Sequence, residues 1–139
     1  MPNDLSELSL IAFKYGSDKC PNFGKYSYTD YYYTLLSNRK RAIKKVLEIG
    51  VGNGASLRMW RDFFPHAQIY GADISPESMF KEDRIETFVC DQNKREDLEK
   101  LIEKIGSDID LVIDNGSHMP NPQTFTCLHL MPLLNKAVI

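Results

Sequence analysis

The spacing of apolar residues changes near residue 44. Before it, they recur at helical intervals. Leu5, Leu8, Ile11, Ala12 and Tyr15 share one face of a helix predicted over residues 4–15, with Gly16 as its stop. Residues 16–27 are rich in Gly, Pro and small polar residues and read as a loop, longer than most connections inside a compact domain. Ser27 with Asp30 is a capping signal for a second helix running through about Arg41. Its apolar face holds Tyr28, Tyr31, Tyr32, Leu35 and Leu36, and tyrosines at this spacing read as packing rather than as a ligand platform.

From Lys44 onward, short apolar runs alternate with amphipathic helical stretches. Strands are predicted at Val46–Gly50, Gln68–Ile74, Ile85–Cys90 and Ile109–Ile113. Between them, Ser56–Phe64 reads as a helix with Leu57, Trp60 and Phe64 on one stripe, ended by Pro65. Ser75–Ser78 reads as a turn opening a short helix. Asn93 and Glu96 form a capping-box pattern for a helix with Leu98, Leu101, Ile102 and Ile105 at i, i+3, i+4 and i+7. Residues 123–134 read as helical, with Pro132 as a kink, and Ala137–Ile139 as the onset of a fifth strand.

Strands alternating with crossover helices specify an α/β protein with a Rossmann-like parallel sheet and helices on both faces. The pattern stops at the onset of strand five, so the sheet is expected to be truncated there. The change of pattern at residue 44 divides the chain into an N-terminal helical and loop cap (1–43) and a Rossmann-like domain (44–139) that lacks its C-terminal strands.

Composition narrows the field. The 139 residues carry 17 basic and 19 acidic side chains, a net charge of −2 without the basic excess of a general nucleic-acid binder. The local basic run Arg39-Lys40-Arg41 with Lys44-Lys45 reads as a solvated helix end. Three cysteines, Cys20, Cys90 and Cys127, form no CxxC pair and suit free thiols in a reduced compartment. No signal peptide is visible, and no apolar run approaches the ~20 residues that span a bilayer, so a cytoplasmic protein is expected. An unfinished sheet edge at residues 137–139 would be open to pairing, which admits a homo-oligomer.

Candidate chemistry collects at the C-terminal ends of the strands, where folds of this kind bind ligands. Strand one runs into Glu48-Ile49-Gly50-Val51-Gly52-Asn53-Gly54, a glycine turn before a helix N-terminus. Strand two ends at Asp73, whose carboxylate can accept hydrogen bonds from a ribose diol. Strand three ends at Asp91-Gln92, suited to an adenine edge. Strand four ends at Asp114-Asn115-Gly116-Ser117-His118. Gly50, Gly52 and Ala55 pass as a dinucleotide GxGxxA variant, but Glu48 before the first glycine and Gly54 after the second suit a ligand with a charged amino-acid part and no pyrophosphate.

Leu47–Gly54 resembles motif I of the class I S-adenosylmethionine-dependent methyltransferases. More narrowly, the chain resembles the macrolide-sugar O-methyltransferases of the macrocin and mycinamicin type. The resemblance runs through Tyr15–Lys19, Tyr28–Tyr33, Gly54–Pro65, Ile69–Ile74 and Asp110–His118. It implies an enzyme that methylates a hydroxyl of a small sugar or natural-product scaffold, as in antibiotic biosynthesis. It places Glu48, Gly50 and Gly52 along the methionine part of S-adenosylmethionine, Asp73 on the ribose, Asp91 and Gln92 by the adenine, and Asp114 near the sulfonium and amino group. His118 matches the family's base, since an imidazole can take the proton of a sugar hydroxyl. The family's magnesium carboxylate on strand four falls at Asn115, a neutral oxygen ligand, and its acidic residues after strand five would lie beyond Ile139. Two other readings remain open at this level: a non-catalytic adenosylmethionine-binding module, and an NAD(P)-dependent oxidoreductase or epimerase.

Overall fold

The computed structural model describes residues 6–17 and 28–115. One sheet contains β1 (Lys45–Ile49), β2 (Gln68–Asp73), β3 (Lys81–Glu82), β4 (Ile85–Val89) and β5 (Leu111–Asp114), in the spatial order β3-β4-β2-β1-β5. β1 pairs in parallel with β2 and with β5, and β2 with β4. The chain thus builds outward from β1 through β2 to β4, then returns to the other edge of β1 as β5. That reversal makes the C-terminal ends of β1 and β5 the switch point of the sheet.

Alternation along each strand divides the core between the two faces. On one face, Val46, Ile69, Ile85, Leu111 and Ile113 join Leu8 and Ala12 of α1 (Glu7–Tyr15), Leu36 of α2 (Tyr28–Leu36), and Leu57, Met59, Trp60 and Phe63 of α3 (Ala55–Phe63). On the other, Leu47, Ile49, Ala72 and Val112 meet Leu98, Leu101 and Ile105 of α4 (Arg95–Ile105). The expected α/β arrangement, a mostly parallel sheet with helices on both faces, is what the chain adopts.

Local chemistry fixes the helix ends. Ser6 caps α1 by accepting the Ser9 N–H, and Gly16 ends it in the left-handed conformation. A buried 2.6 Å hydrogen bond between the Ser9 and Thr29 hydroxyls ties α1 to α2. Tyr32 meets the Trp60 indole edge-on at 5.3 Å, and Tyr33 lies 6.1 Å from the Phe63 ring, so these tyrosines pack the core. Arg84, held at φ 60°, donates to the carbonyls of Arg61, Phe64 and Ala67 and satisfies the C-terminal end of α3. Two residues of the basic run are engaged: Lys40 pairs with Glu7, and Lys45 reaches Asp108 and the Ile105 carbonyl.

Three local expectations change. Ser75–Ser78 opens no α-helix: Pro76–Ser78 makes a single 3-10 turn, and the chain continues into β3, antiparallel to β4. Two residues are too short a strand to leave a period in the sequence. The box between Asn93 and Glu96 does not form either. Lys94 is the cap position of α4, and the turn before it is held by Asp91, which accepts the Asn93 N–H, and by Asp97, which accepts the Asp91 N–H. The first helix begins at Glu7 rather than residue 4, because Ser6 caps it. The predicted cap at Ser27, the helix over 123–134 and the strand onset at 137–139 lie outside the described residues. Among the described residues no helix is long and apolar enough to cross a membrane.

The sheet approaches α3 closely at Gly71. A methyl group there would stand 2.6 Å from Leu57 Cδ1 and 2.9 Å from Val51 Cγ2. Gly71→Ala is therefore expected to destabilise the chain by about 1–3 kcal/mol in urea unfolding. A loss below about 0.5 kcal/mol, the size of an ordinary surface substitution, would contradict this packing.

Candidate functional site

The backbone ladder continues past the ends of the strands and aligns their last residues. Gly50 N–H donates to the Ala72 carbonyl at 2.7 Å, Cys90 N–H to Asp73 at 2.9 Å, and Asn115 N–H to Ile49 at 2.8 Å. Gly50, Asp73 and Asn115 consequently stand in one row, level with Val89, and Cys90 follows one step beyond. Beyond this row opens a cleft of about 630 Å³, within the usual range for small-molecule sites.

The loop after β1 forms one wall. Gly52 and Gly54 both lie in the left-handed region, at φ 56° and φ 85°, where a side chain is strained. They differ in what surrounds them. A methyl group on Gly54 would strike the Phe80 ring at 2.7 Å, whereas one on Gly52 would meet nothing within 4 Å. Gly54 is thus packed from outside, and the space beside Gly52 is open to a ligand. The Asn53 side chain accepts the Ala55 N–H at 3.0 Å and closes the turn into α3.

Asp73 holds this loop in place. Its Oδ2 accepts the N–H groups of Val51 at 2.8 Å and Gly52 at 3.3 Å, and its Oδ1 accepts Ser75 N–H at 3.0 Å. Burial alone would raise its pKa, but backbone N–H groups of Ser75, Val51, Gly52 and Ile74 outweigh burial and keep the carboxyl below the ordinary range.

On the far side, Gln92 is buried and its Nε2 donates to Asp114 Oδ2 at 3.2 Å, joining the turn after β4 to the end of β5. The Cys90 thiol is pushed up to about 11 by burial and then by the nearby charges of Asp97 and Asp91. Gly16 completes the rim, and the neighbouring Ser17 hydroxyl lies 3.3 Å from that of Ser56, which also lines the cleft.

Comparison with known proteins adds a second line. The chain is 37% identical over 95% of its length to the 8-demethyl-8-alpha-L-rhamnosyl tetracenomycin-C 2'-O-methyltransferase of Streptomyces olivaceus, and 42% identical over 84% to the mycinamicin VI 2''-O-methyltransferase of Micromonospora griseorubida. Its fold superposes with a TM-score of 0.84, at 34% identity over 95% of the chain, on the MycE methyltransferase solved with Mg, S-adenosylhomocysteine (SAH) and mycinamycin VI. The chain is a relative of the macrolide-sugar O-methyltransferases. It spans 36% and 29% of the length of those two relatives and 37% of the MycE chain. No protein-family model matches it.

For this methyltransferase relative, the structure sorts the residues singled out from sequence. Gly50, Gly52, Asp73, Asp91, Gln92 and Asn115 line the cleft together. Asp114 reaches it through Gln92. Glu48 is fully buried on β1, on the side chain parity of Val46, which faces the α3 layer, while Ile49 and Gly50 line the cleft. His118 lies outside the described residues. Asn53, Ser56, Cys90, Ile74 and Gly16 also line the cleft and were not among those singled out. The position of Ser56, on the first turn of the helix behind a glycine loop, was the available signal.

Two outcomes follow from this geometry. Asp73→Asn puts an amide N–H against a backbone N–H group that the carboxylate accepts and should lower stability by about 1–3 kcal/mol at pH 7 in urea unfolding. Because the native carboxyl is held low, its contribution is present above the ordinary value of 3.8 and is lost as the pH falls through the native value. The gap between wild type and Asp73→Asn should therefore shrink as the pH drops below 3.8 toward the lower native value, and a gap that persists unchanged in acid would contradict the assignment. Second, Cys90 should alkylate with iodoacetamide at pH 8 far more slowly than free cysteine, read peptide by peptide by mass spectrometry. Labelling at the free-thiol rate would show an exposed thiolate.

Proposed function

We propose that this chain builds the methyl-donor wall of an S-adenosylmethionine-dependent O-methyltransferase acting on a hydroxyl of a sugar or natural-product scaffold. The observation that carries the proposal is the single cleft on which the glycine loop, Asp73, Asp91, Gln92 and Asn115 converge, in a chain related to sugar O-methyltransferases over nearly all its length.

The residues present suit the cofactor. The open space beside Gly52 admits the methionine part against bare backbone. The Asp73 carboxylate, which lines the cleft, takes a ribose hydroxyl. Asp91 and Gln92 flank the adenine, and Gln92 holds Asp114 toward the amino-acid end. When bound, S-adenosylmethionine supplies a methyl group on a positively charged sulfur. This chain's part is to bind and orient that group and to exclude water from it. His118, three residues after Asn115, is the base that takes the acceptor hydroxyl's proton.

Magnesium is present in the MycE complex. Among the described residues no group of three or more His, Cys, Asp or Glu side chains could hold a metal ion. Asn115 brings one neutral oxygen to the cleft, and a complete ligand set would draw on residues outside those described. No step above depends on the ion. We also read residues 1–43 as a cap on the 44–139 domain, in a cytoplasmic protein whose partner is a small hydroxylated substrate, with assembly into a homo-oligomer admitted.

Isothermal titration of the 139-residue chain with SAH tests the reading. Binding is expected with SAH and not with NAD, and the reverse would replace the methyltransferase reading with an oxidoreductase one. Asp73→Ala should weaken SAH by about tenfold or more, while His118→Ala should leave it within about twofold. Equal losses would contradict the separate roles of binder and base.

A further inference from the structure

Outside the cleft, α3 carries two arginines one turn apart, Arg58 and Arg61, on the face toward β3. Both converge on one carboxylate. Glu82 Oε1 accepts Arg58 Nε at 3.0 Å and Nη2 at 2.7 Å, and Glu82 Oε2 accepts Arg61 Nη1 at 2.9 Å. Neither Arg58, Arg61 nor Glu82 lines the cleft.

Each arginine extends to a different wall of it. Arg58 Nη1 donates to the Asn53 carbonyl at 3.1 Å, inside the glycine loop. Its guanidinium also lies 4.6 Å from the centroid of the Phe80 ring, the ring that packs against Gly54. Phe80 is itself pinned, since Thr87 Oγ1 accepts its N–H at 2.7 Å and donates to its carbonyl at 2.6 Å. Arg61 Nη2 donates to the Tyr15 hydroxyl at 3.2 Å, and that hydroxyl donates to Asp62 at 2.5 Å. Tyr15 ends α1, and the next residues are Gly16, on the rim, and Ser17, against Ser56.

We propose that Glu82 is a positioning residue for the adenosyl ligand: by bridging Arg58 and Arg61 it holds the glycine loop and the Tyr15–Ser17 corner in fixed relation across α3. The proposal rests on the reading of the cleft as a methyl-donor site. An isolated exposed ion pair contributes little, but a carboxylate shared by two forked guanidiniums is a network with fixed geometry. The Arg58 hydrogen bonds come first among the effects that keep the Glu82 carboxyl below its ordinary range, ahead of an opposing burial effect and the Arg61 contribution. Without Glu82, Arg58 retains, among the described residues, the Asn53 carbonyl and the Phe80 face. The loop must then be ordered when ligand arrives, and that cost falls on affinity rather than on the core.

The test uses the full 139-residue chain carrying Glu82→Ala or Glu82→Asp. Three quantities are read: SAH affinity by calorimetry, the urea midpoint, and hydrogen exchange of the amides at 51–54 without ligand. Glu82→Ala is expected to weaken SAH by about tenfold and speed exchange at 51–54 by about fivefold or more, with the urea midpoint nearly unchanged. Glu82→Asp, which keeps the charge, should recover part of both effects. Unchanged exchange at 51–54, or a fall in the urea midpoint matching the affinity loss, would overturn the positioning role. Exchange needs no ligand, so a wild-type chain that fails to bind SAH would count against the functional reading alone.

Discussion

The cleft depends on one carboxylate receiving the backbone of a neighbouring strand's loop. Parallel pairing sets Ile49 of β1 opposite Ala72 of β2, so Asp73 falls one step beyond, level with the turn that leaves β1. From there Oδ2 reaches the N–H groups of Val51 and Gly52. A loop with three glycines at positive φ, Gly50, Gly52 and Gly54, has many conformations open to it, and these bonds select one. That selected path brings the chain to Ala55 in position to start α3, and the space beside Gly52 stays clear.

The rest of the fold supports this contact from both faces of the sheet. Above it, α3 lies so close to β2 that Gly71 cannot carry a side chain without displacing Val51 and Leu57. Trp60, Phe63 and Phe64 are buried in the layer that α3 shares with the N-terminal helices, and Arg84 closes the C-terminal end of α3 by binding the carbonyls of Arg61, of the cap residue Phe64 and of Ala67 in the turn beyond. Below it, α4 covers Leu47, Ile49 and Ala72. The two-residue β3 hairpin carries Phe80 and Glu82 to the outer side of the glycine turn. The site is therefore placed by packing that lies largely outside it.

Much of this was legible in the sequence, and the reasons are physical. Buried parallel strands read as short apolar runs, and α3 and α4 bury one stripe each, so their periods survive in the sequence. The glycine turn and the acidic residues at the strand ends were legible because few other residue types serve there. Long-range polar contacts were not. Nothing in the order of residues shows that Asp73 binds the loop of another strand, that Gln92 spends its amide on Asp114, or that Glu82 meets two arginines more than twenty positions earlier. Such pairs are set by register and helix placement. The missed β3 strand and the misread cap of α4 are of the same kind, since Asp97 and Asp91 hold that turn where the local pattern pointed to Asn93 and Glu96.

In the reading proposed for this cleft, the strand ends have a common purpose: a backbone cradle set before the donor arrives. Nitrogen-15 NMR of the chain during addition of SAH tests this most directly. The amides of Gly50–Gly54, Ile74 and Asp91–Asn93 should shift, while Asp108 and Asp110 at the opposite end of the sheet stay in place. Shifts spread evenly over the chain, or confined to the end near Asp108, would contradict a preformed site at the C-terminal ends of the strands.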